Sequence, residues 1–131
     1  MYLGLVLGQF NSNKGKLEDI LYHYEGEKKV QSKAITYYEV IDRNSNYSLL
    51  KLTPYTGRKH QIRKQLLIRG HPIIGDNKYK ISNKDINKKN KLMLHAYKIF
   101  FTINNIKYNF SADIPEDFEN IIKQKYLKIV F

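Results

Sequence analysis

Short apolar runs separated by polar turns dominate the first half of the chain. The run Tyr2–Leu7 is continuously apolar and predicts a buried strand. Residues 34–41 are rich in β-branched and aromatic side chains, and residues 47–53 repeat this composition after the turn-forming segment 42–46. We therefore expect an antiparallel hairpin over residues 34–53.

Polar stretches separate these strands from the rest of the chain. Residues 9–15 have the composition of a turn. Residues 16–29 are polar and mixed, which predicts a loop with little regular structure. Residues 78–91 carry six lysines and few apolar side chains, so we expect an exposed loop there.

Two segments carry the start and stop signals of helices. The first runs from Gly57 or Arg58 to Arg69, because Gly70 follows at a position suited to a left-handed cap and Pro72 soon after. The second opens at Pro115 and reaches about residue 125, since proline and acidic residues suit a first helical turn.

Strand patterns return near the carboxyl end. Residues 92–103 predict a strand, Asn104 and Asn105 a two-residue turn, and residues 106–112 its partner strand. The chain shows neither an internal repeat nor a linker, so we expect one domain over residues 1–131.

Composition narrows the class of protein. The 131 residues carry a net charge of +11, which favours a polyanionic partner such as RNA, DNA or an anionic membrane. No run approaches the ~20 apolar residues of a transmembrane helix, so we expect no membrane partner. Cysteine is absent, which removes thiolate chemistry and favours a cytoplasmic location.

Two linked motifs carry the candidate chemistry. The first is L-T-P-Y-T-G-R-K-H-Q-I-R over residues 52–63, and the second is G-H-P-I-I-G-D-N-K-Y over residues 70–79. Together they resemble a signature of the RluA-type ribosomal large-subunit pseudouridine synthases. Residues 92–96, L-M-L-H-A, resemble a further strand of that family. The resemblance extends from Tyr2 to about Phe118 and covers the C-terminal half of the family's catalytic domain. It implies an α+β fold with a mixed, mostly antiparallel sheet and flanking helices.

The resemblance implies an activity and two catalytic residues. Family members convert uridine in rRNA or tRNA to its C5-glycoside isomer, with no cofactor and no metal. Arg63 stands where the family arginine pairs with the catalytic aspartate, as a planar guanidinium can hold a carboxylate ionised. Tyr2 stands where the family tyrosine stacks on the target base; an ordinary strand tyrosine is the alternative. Gly4 replaces the usual alanine near it.

The resemblance also separates residues that would contact RNA from residues that would shape the site. The expected RNA contacts are Arg58, Lys59, His60, Lys64, Lys78 and Lys80. The expected structural residues are Gly57, Gln61, His71, Pro72, Gly75, Asp76 and His95. Gly57 suits a tight turn at the helix entrance. Gln65 stands where many members have histidine.

Alternative chemistry at these residues finds less support. His60, His71, His95 and Asp76 lack the spacing of known metal sites, so we expect no metal. Asp76 is the most tempting alternative nucleophile. We discount it, because the family's second motif holds a second aspartate beside the catalytic one.

The family's catalytic aspartate lies in an upstream H-R-L-D segment that these residues do not contain. Three alternatives follow: an inert relic, one half that assembles with a separate N-terminal half carrying the aspartate, or an incomplete sequence. A missing half would leave strand Tyr2–Leu7 with an unpaired edge or an uncovered apolar side. The rival classes are a non-catalytic basic RNA-binding module and, with less support, a DNA-binding protein.

Overall fold

Two antiparallel sheets and two helices make up residues 1–81 and 91–131, which the computed structural model describes. A five-stranded sheet has the order β2-β3-β4-β1-β5, and a two-stranded sheet pairs β6 with β7. The strands are β1 Tyr2–Leu7, β2 Lys14–Glu25, β3 Lys28–Arg43, β4 Tyr47–Pro54, β5 Leu94–Ala96, β6 Lys98–Ile103 and β7 Ile106–Ser111. The helices are α1 Gln61–Ile68 and α2 Glu116–Gln124. The predicted α+β class is confirmed.

Several elements agree closely with the sequence pattern. Strand β1 has the predicted bounds, and β3 and β4 form the predicted antiparallel hairpin. Asn104 and Asn105 both have positive φ, 51° and 64°, as a two-residue hairpin turn requires. The last helix begins directly after Pro115, as predicted.

The predicted loop over residues 16–29 is wrong, because most of it belongs to β2. This strand pairs with β3 along its whole length, from Lys14 opposite Glu39 to Glu25 opposite Lys28. Leu17 and Leu21 are its only buried side chains, so the strand carries a weak apolar signal. Hydrogen bonds to β3 stabilise this edge strand, and a local pattern does not report such pairing.

The predicted strand over residues 92–103 is also wrong as one element. The chain leaves the five-stranded sheet after β5 and enters the two-stranded sheet at β6. At the junction, Tyr97 donates its backbone N–H to the Met1 carbonyl at 3.1 Å, and its carbonyl accepts from the Ala112 N–H at 2.8 Å. The switch between sheets depends on these distant partners.

Helix α1 begins four residues after Gly57, later than predicted. His60 adopts the left-handed conformation, with φ 52° and ψ 31°, and so separates the preceding loop from the helix. Gly57 does not have positive φ, and a side chain there would meet open space. The expectation that Gly57 makes a tight turn is therefore wrong, and His60 makes it instead. Gly70, with φ 77°, ends the helix as predicted.

Strand β1 has no unpaired edge, contrary to the expectation for a missing half. On one side it pairs with β4 along its whole length. On the other side it pairs with β5 from Tyr2 to Gly4, and then Leu5 and Leu7 bond to Met93 and the 72–74 segment. Leu3, Leu5 and Val6 are fully buried.

The two helices cover opposite faces of the five-stranded sheet. Gln65 of α1 bonds to Thr36 of β3, and the ring of Phe118 in α2 lies 6.0 Å from that of His95 in β5. Thr36 and His95 point to opposite faces by the register of the strands between them. The core between these layers consists of buried leucine, isoleucine, methionine and phenylalanine side chains.

Most of the predicted lysine-rich loop, residues 82–90, lies outside the described residues. Neither helix in the described part of the chain has the length and hydropathy to cross a membrane.

Gly8 tests the contact between the end of β1 and the second motif. Its φ is +86°, and an added Cβ would lie 2.8 Å from Nδ1 of His71. We expect Gly8→Ala to lower the free energy of unfolding by about 1–3 kcal/mol, because of backbone strain and displacement of His71. Gly57→Ala is the matched control and should cause no loss. Urea unfolding measures both variants, and equal stability of the two would contradict the assignment.

Candidate active site

A buried glutamine attaches the first turn of α1 to β3. Gln61 accepts hydrogen bonds from the Thr56 hydroxyl at 2.6 Å and the Arg58 backbone N–H at 3.0 Å. Its amide group donates to the Ile35 carbonyl and to the Thr36 hydroxyl, both at 2.9 Å. All four bonds lie in the interior or at its border, where polar groups need partners. The 55–60 loop therefore has one fixed position above the sheet.

A second glutamine, Gln65, joins α1 to the outer strands. Its Oε1 accepts from the Thr36 hydroxyl at 2.6 Å. Its Nε2 lies 3.1 Å from each of three acceptors, the carbonyls of Leu17 and Ala34 and the Asp19 carboxylate. The side chain is fully buried, so these bonds satisfy polar atoms that water cannot reach.

Arg63 and Asp76 form a bidentate ion pair inside the fold. Nε and Nη2 of Arg63 each donate to one carboxylate oxygen of Asp76 at 2.8 Å. The Asp76 side chain is completely buried, and it also accepts the backbone N–H groups of Lys78 at 3.0 Å and Tyr79 at 2.9 Å. Burial alone would raise the pKa of Asp76. The hydrogen bonds from Arg63, Tyr79 and Lys78 outweigh it and lower that pKa.

These contacts decide what Asp76 can do. Four N–H groups donate to the Asp76 carboxylate, three of them to Oδ1 and one to Oδ2. The side chain is also completely buried, so neither oxygen is accessible to a substrate. Among the described residues, no acceptor contacts the remaining Nη1 of Arg63, so this arginine keeps donors for a further carboxylate or phosphate.

Tyr79 stacks on Arg63 and connects it to His60. The guanidinium carbon lies 4.9 Å from the centre of the Tyr79 ring, and the Tyr79 hydroxyl lies 3.0 Å from Nδ1 of His60. Burial, followed by the positive charges of Arg63 and three lysines, lowers the pKa of His60. His60 is therefore neutral at pH 7 and suited to hydrogen bonding.

One cavity of about 320 Å³ brings the two predicted catalytic residues together. Its lining includes Tyr2 from β1 and Arg63 from α1, although 61 positions separate them in the chain. The other lining residues are Pro54, Thr56, Gly57, Arg58, His60, Gln61, Ile62 and Leu94. Arg58 is exposed at the rim, where its Nε donates to the Lys33 carbonyl at 3.0 Å. The cavity thus combines a cationic group, an aromatic ring and an apolar wall.

The four predicted lysine contacts do not line this cavity. Lys59 and Lys78 are exposed, whereas Lys64 and Lys80 are half-buried. The ammonium group of Lys78 lies 5.5 Å from the centre of the Tyr79 ring. Lys59, Lys64 and Lys78 lie close enough to His60 to lower its pKa, and contact of the four lysines with RNA stays a prediction.

The remaining predicted structural residues bind β1 or lie near α2. Nδ1 of His71 is 2.8 Å from the Leu7 carbonyl, and the Pro72 carbonyl accepts from the Leu7 N–H at 3.0 Å. Gly75 has a φ of 83° and leads directly into Asp76. Nε2 of His95 is buried and has no hydrogen-bond partner among the described atoms.

The three histidines considered for a metal site lie in separate surroundings. His60 contacts Tyr79, His71 contacts the β1 backbone, and His95 faces α2. Within residues 1–81 and 91–131, no three His, Cys, Asp or Glu side chains are close enough to hold a metal ion.

Comparison with known proteins identifies the family. The model of the family described as RNA pseudouridylate synthase matches residues 1–67, which include β1 and the first motif. The chain belongs to the RNA pseudouridylate synthase family. It is 32% identical to ribosomal large subunit pseudouridine synthase D of Borreliella burgdorferi over 96% of this chain and 41% of that protein. It is 33% identical to ribosomal large subunit pseudouridine synthase C of Haemophilus influenzae, over 94% of this chain and 42% of that protein.

The solved structures of this synthase family share the fold. The human RNA pseudouridylate synthase domain containing 4 superimposes with a TM-score of 0.79 at 22% identity, over 97% of this chain and 62% of that one. The human RNA pseudouridylate synthase domain containing 1 gives 0.75 at 20% identity, over 87% and 54%. This chain spans about two fifths of the length of the Borreliella burgdorferi and Haemophilus influenzae synthases.

Sequence reasoning missed two contributors to this synthase-family site. Thr56 lies in the first motif, and its hydroxyl accepts from the Ile35 N–H at 2.9 Å while donating to Gln61. Tyr79 ends the second motif and covers Arg63. Their positions within the two motifs were the only indication in the sequence that Thr56 and Tyr79 contribute to the site. Their contacts depend on tertiary structure.

Asp76→Asn tests the importance of the ion pair. We expect the free energy of unfolding to fall by about 2–4 kcal/mol, because a half-buried guanidinium loses its charged partner. Asp117→Asn is the matched control; its ion pair with Lys91 is exposed and it lies in the first turn of α2, so we expect a loss of at most about 1 kcal/mol. Chemical denaturation of both variants at pH 7 measures the difference. Similar stabilities would show that the buried pair contributes little.

The stability difference between the unmodified chain and Asp76→Asn should change with pH in a direction set by the pKa of Asp76. The folded-state pKa of Asp76 lies below its ordinary value of 3.8. Its contribution is therefore complete above that value and is lost as the pH falls through the lower folded-state pKa. Below about pH 4, the gap between the unmodified chain and Asp76→Asn should narrow.

Proposed function

We propose that this chain forms the arginine and tyrosine side of a site that isomerises uridine to pseudouridine in RNA. The supporting observation is the single cavity lined by both Arg63 and Tyr2. Relatives of this chain bear the names of ribosomal and tRNA pseudouridine synthases. The net charge of +11 suits a polyanionic substrate.

The chemistry assigns different tasks to the two residues. Isomerisation breaks the bond between ribose C1′ and uracil N1 and then joins C1′ to C5, with C5 losing a proton and N1 gaining one. A carboxylate must be ionised to act as the nucleophile, and Nη1 of Arg63 offers N–H groups to hold it so. Tyr2 supplies an aromatic face against which the uracil ring can stack as it turns.

The nucleophilic carboxylate comes, in this proposal, from a polypeptide segment other than these 131 residues. Asp76 is unsuited because its side chain is buried and held in the ion pair with Arg63. The bacterial relatives are more than twice as long as their match to this chain, so they contain further segments. Such a segment would be continuous with this chain or a separate N-terminal half.

Pseudouridine formation tests the proposal. The chain by itself should leave rRNA and tRNA unmodified, because none of the described residues that line the cavity carries a carboxylate. Addition of the stretch that precedes the matched region in the Borreliella burgdorferi relative should yield pseudouridine, detected by carbodiimide and primer extension. Arg63→Ala should reduce the initial rate at least a hundredfold.

Two controls make the result decisive. Lys123→Ala, an exposed change on α2, should retain the activity. A carboxylate-to-amide change in the added segment should abolish it. Modification by the chain alone would contradict the requirement for a second segment, and full activity of Arg63→Ala would contradict the role of the arginine.

A non-catalytic RNA-binding module is the second candidate. Asp76 already occupies two N–H groups of Arg63, and this favours a structural use of the arginine. RNA binding without pseudouridine formation in the complemented assay would support this alternative over the synthase.

RNA binding should depend steeply on salt. Neutralised phosphates release counterions, so affinity for single-stranded RNA should fall as salt rises from 50 to 200 mM, roughly linearly on logarithmic axes. The double variant Lys59→Ala and Lys64→Ala should reduce the slope by about 0.7 for each phosphate that the two lysines neutralise. Lys123→Ala and Lys128→Ala provide the matched control in filter binding. A salt-independent affinity would contradict electrostatic RNA binding.

A further inference from the structure

The β6–β7 hairpin has one apolar face and one largely polar face. Side chains alternate along each strand, and the register places Ile99 opposite Phe110 and Phe101 opposite Tyr108. The apolar face comprises Ile99, Phe101, Ile103, Ile106, Tyr108 and Phe110. The opposite face comprises Lys98, Phe100, Thr102, Lys107, Asn109 and Ser111. This division is the pattern of a sheet that buries one face.

That apolar face is uncovered in the described part of the chain. Phe110 is 55% exposed, Ile103 is 53% exposed and Ile99 is 56% exposed. Phe101, Tyr108 and Phe110 stack on one another, with ring centres 5.0 to 6.4 Å apart. A lone two-stranded hairpin is marginally stable in water, so a hairpin of this composition is expected to pack on another element.

The apolar face of the hairpin is not directed toward the core of the five-stranded sheet. Phe100, on the opposite face, lines a groove with Lys51, Tyr97 and Phe131. The apolar face therefore points away from the five-stranded sheet. Because no described residue covers the face, its burial needs polypeptide other than residues 1–81 and 91–131 of one copy of the chain.

The base of the hairpin lies beside Met1, which directly precedes β1. The Met1 amino group lies 2.7 Å from the Lys98 carbonyl, and the Met1 carbonyl accepts from the Tyr97 N–H. A segment entering β1 from upstream, as in a longer relative, would start at this hairpin. Tyr2, the next residue, lines the candidate active site.

We propose that the apolar face of β6–β7 is the docking surface for the segment that carries the nucleophilic carboxylate. This inference rests on the proposed function and identifies where its second component binds. The position explains how one segment can cover the hairpin and still reach the cavity beside Tyr2. A second copy of this chain and an unrelated protein are the other possible occupants.

Charge substitutions on neighbouring positions test the docking face. The probe is the stretch that precedes the matched region in the Borreliella burgdorferi relative, and binding is measured by calorimetry without RNA. Phe110→Asp and Ile103→Asp should each weaken binding at least tenfold, because a carboxylate would enter an apolar interface. Asn109→Asp and Thr102→Asp are adjacent in sequence, lie on the opposite face and should leave binding unchanged.

Amide hydrogen exchange distinguishes a loss of binding from unfolding of the hairpin. Each variant must show hairpin exchange like that of the unmodified chain before its binding is compared, and probe binding should slow exchange in β6 and β7. Equal binding by both pairs of variants, or no binding of the probe to the unmodified chain, would overturn the docking face. If the chain does not bind the probe but associates with itself, and Phe110→Asp abolishes this self-association, the face would be assigned to a second copy instead.

The two proposals fail in different ways. In one outcome, Phe110→Asp disrupts binding of the probe, but the complex with the unmodified chain forms no pseudouridine. That outcome would contradict the proposed function and support the docking face. In the other outcome, the Phe110→Asp variant forms pseudouridine as the unmodified chain does at the same probe concentration. That outcome would contradict the docking face and leave the proposed function in place.

Discussion

The buried ion pair between Arg63 and Asp76 is the constraint on which the site depends. It joins α1 to the turn after the 72–74 segment, and that segment bonds directly to β1. A guanidinium anchored through two of its nitrogens cannot rotate freely, so its third nitrogen keeps one direction. The same pair makes Asp76 unavailable for chemistry. A single interaction therefore fixes the arginine and excludes its neighbour as a nucleophile.

The surrounding polar network explains how a short helix is held accurately. Gln61 and Gln65 lie four residues apart on α1 and both bond to Thr36 of β3. Their remaining bonds reach β2, β3 and the 55–60 loop. Each buried amide is costly without partners, so the network strongly favours one placement of the helix. The cavity beside Tyr2 follows from that placement.

Strand β1 and the β6–β7 hairpin differ in how completely they are packed. Strand β1 is enclosed on both edges and both faces, whereas the β6–β7 hairpin leaves a row of apolar side chains in contact with water. The chain spans about two fifths of the length of its relatives from Borreliella burgdorferi and Haemophilus influenzae. The uncovered surface lies on the hairpin and not on β1, because the 72–74 segment and Met93 complete the pairing of β1.

The sequence by itself determined the family motifs, strand β1, the β3–β4 hairpin and the last helix, because each has a local pattern of apolar residues or turn-forming residues. It could not predict β2, whose regular structure depends on pairing with β3, or the break at Tyr97, which depends on Met1 and Ala112. It singled out Arg63, Tyr2 and Asp76 by resemblance. Only the tertiary structure decided that Arg63 binds Asp76 and that Tyr2 shares a cavity with Arg63, since these contacts join residues far apart in the chain.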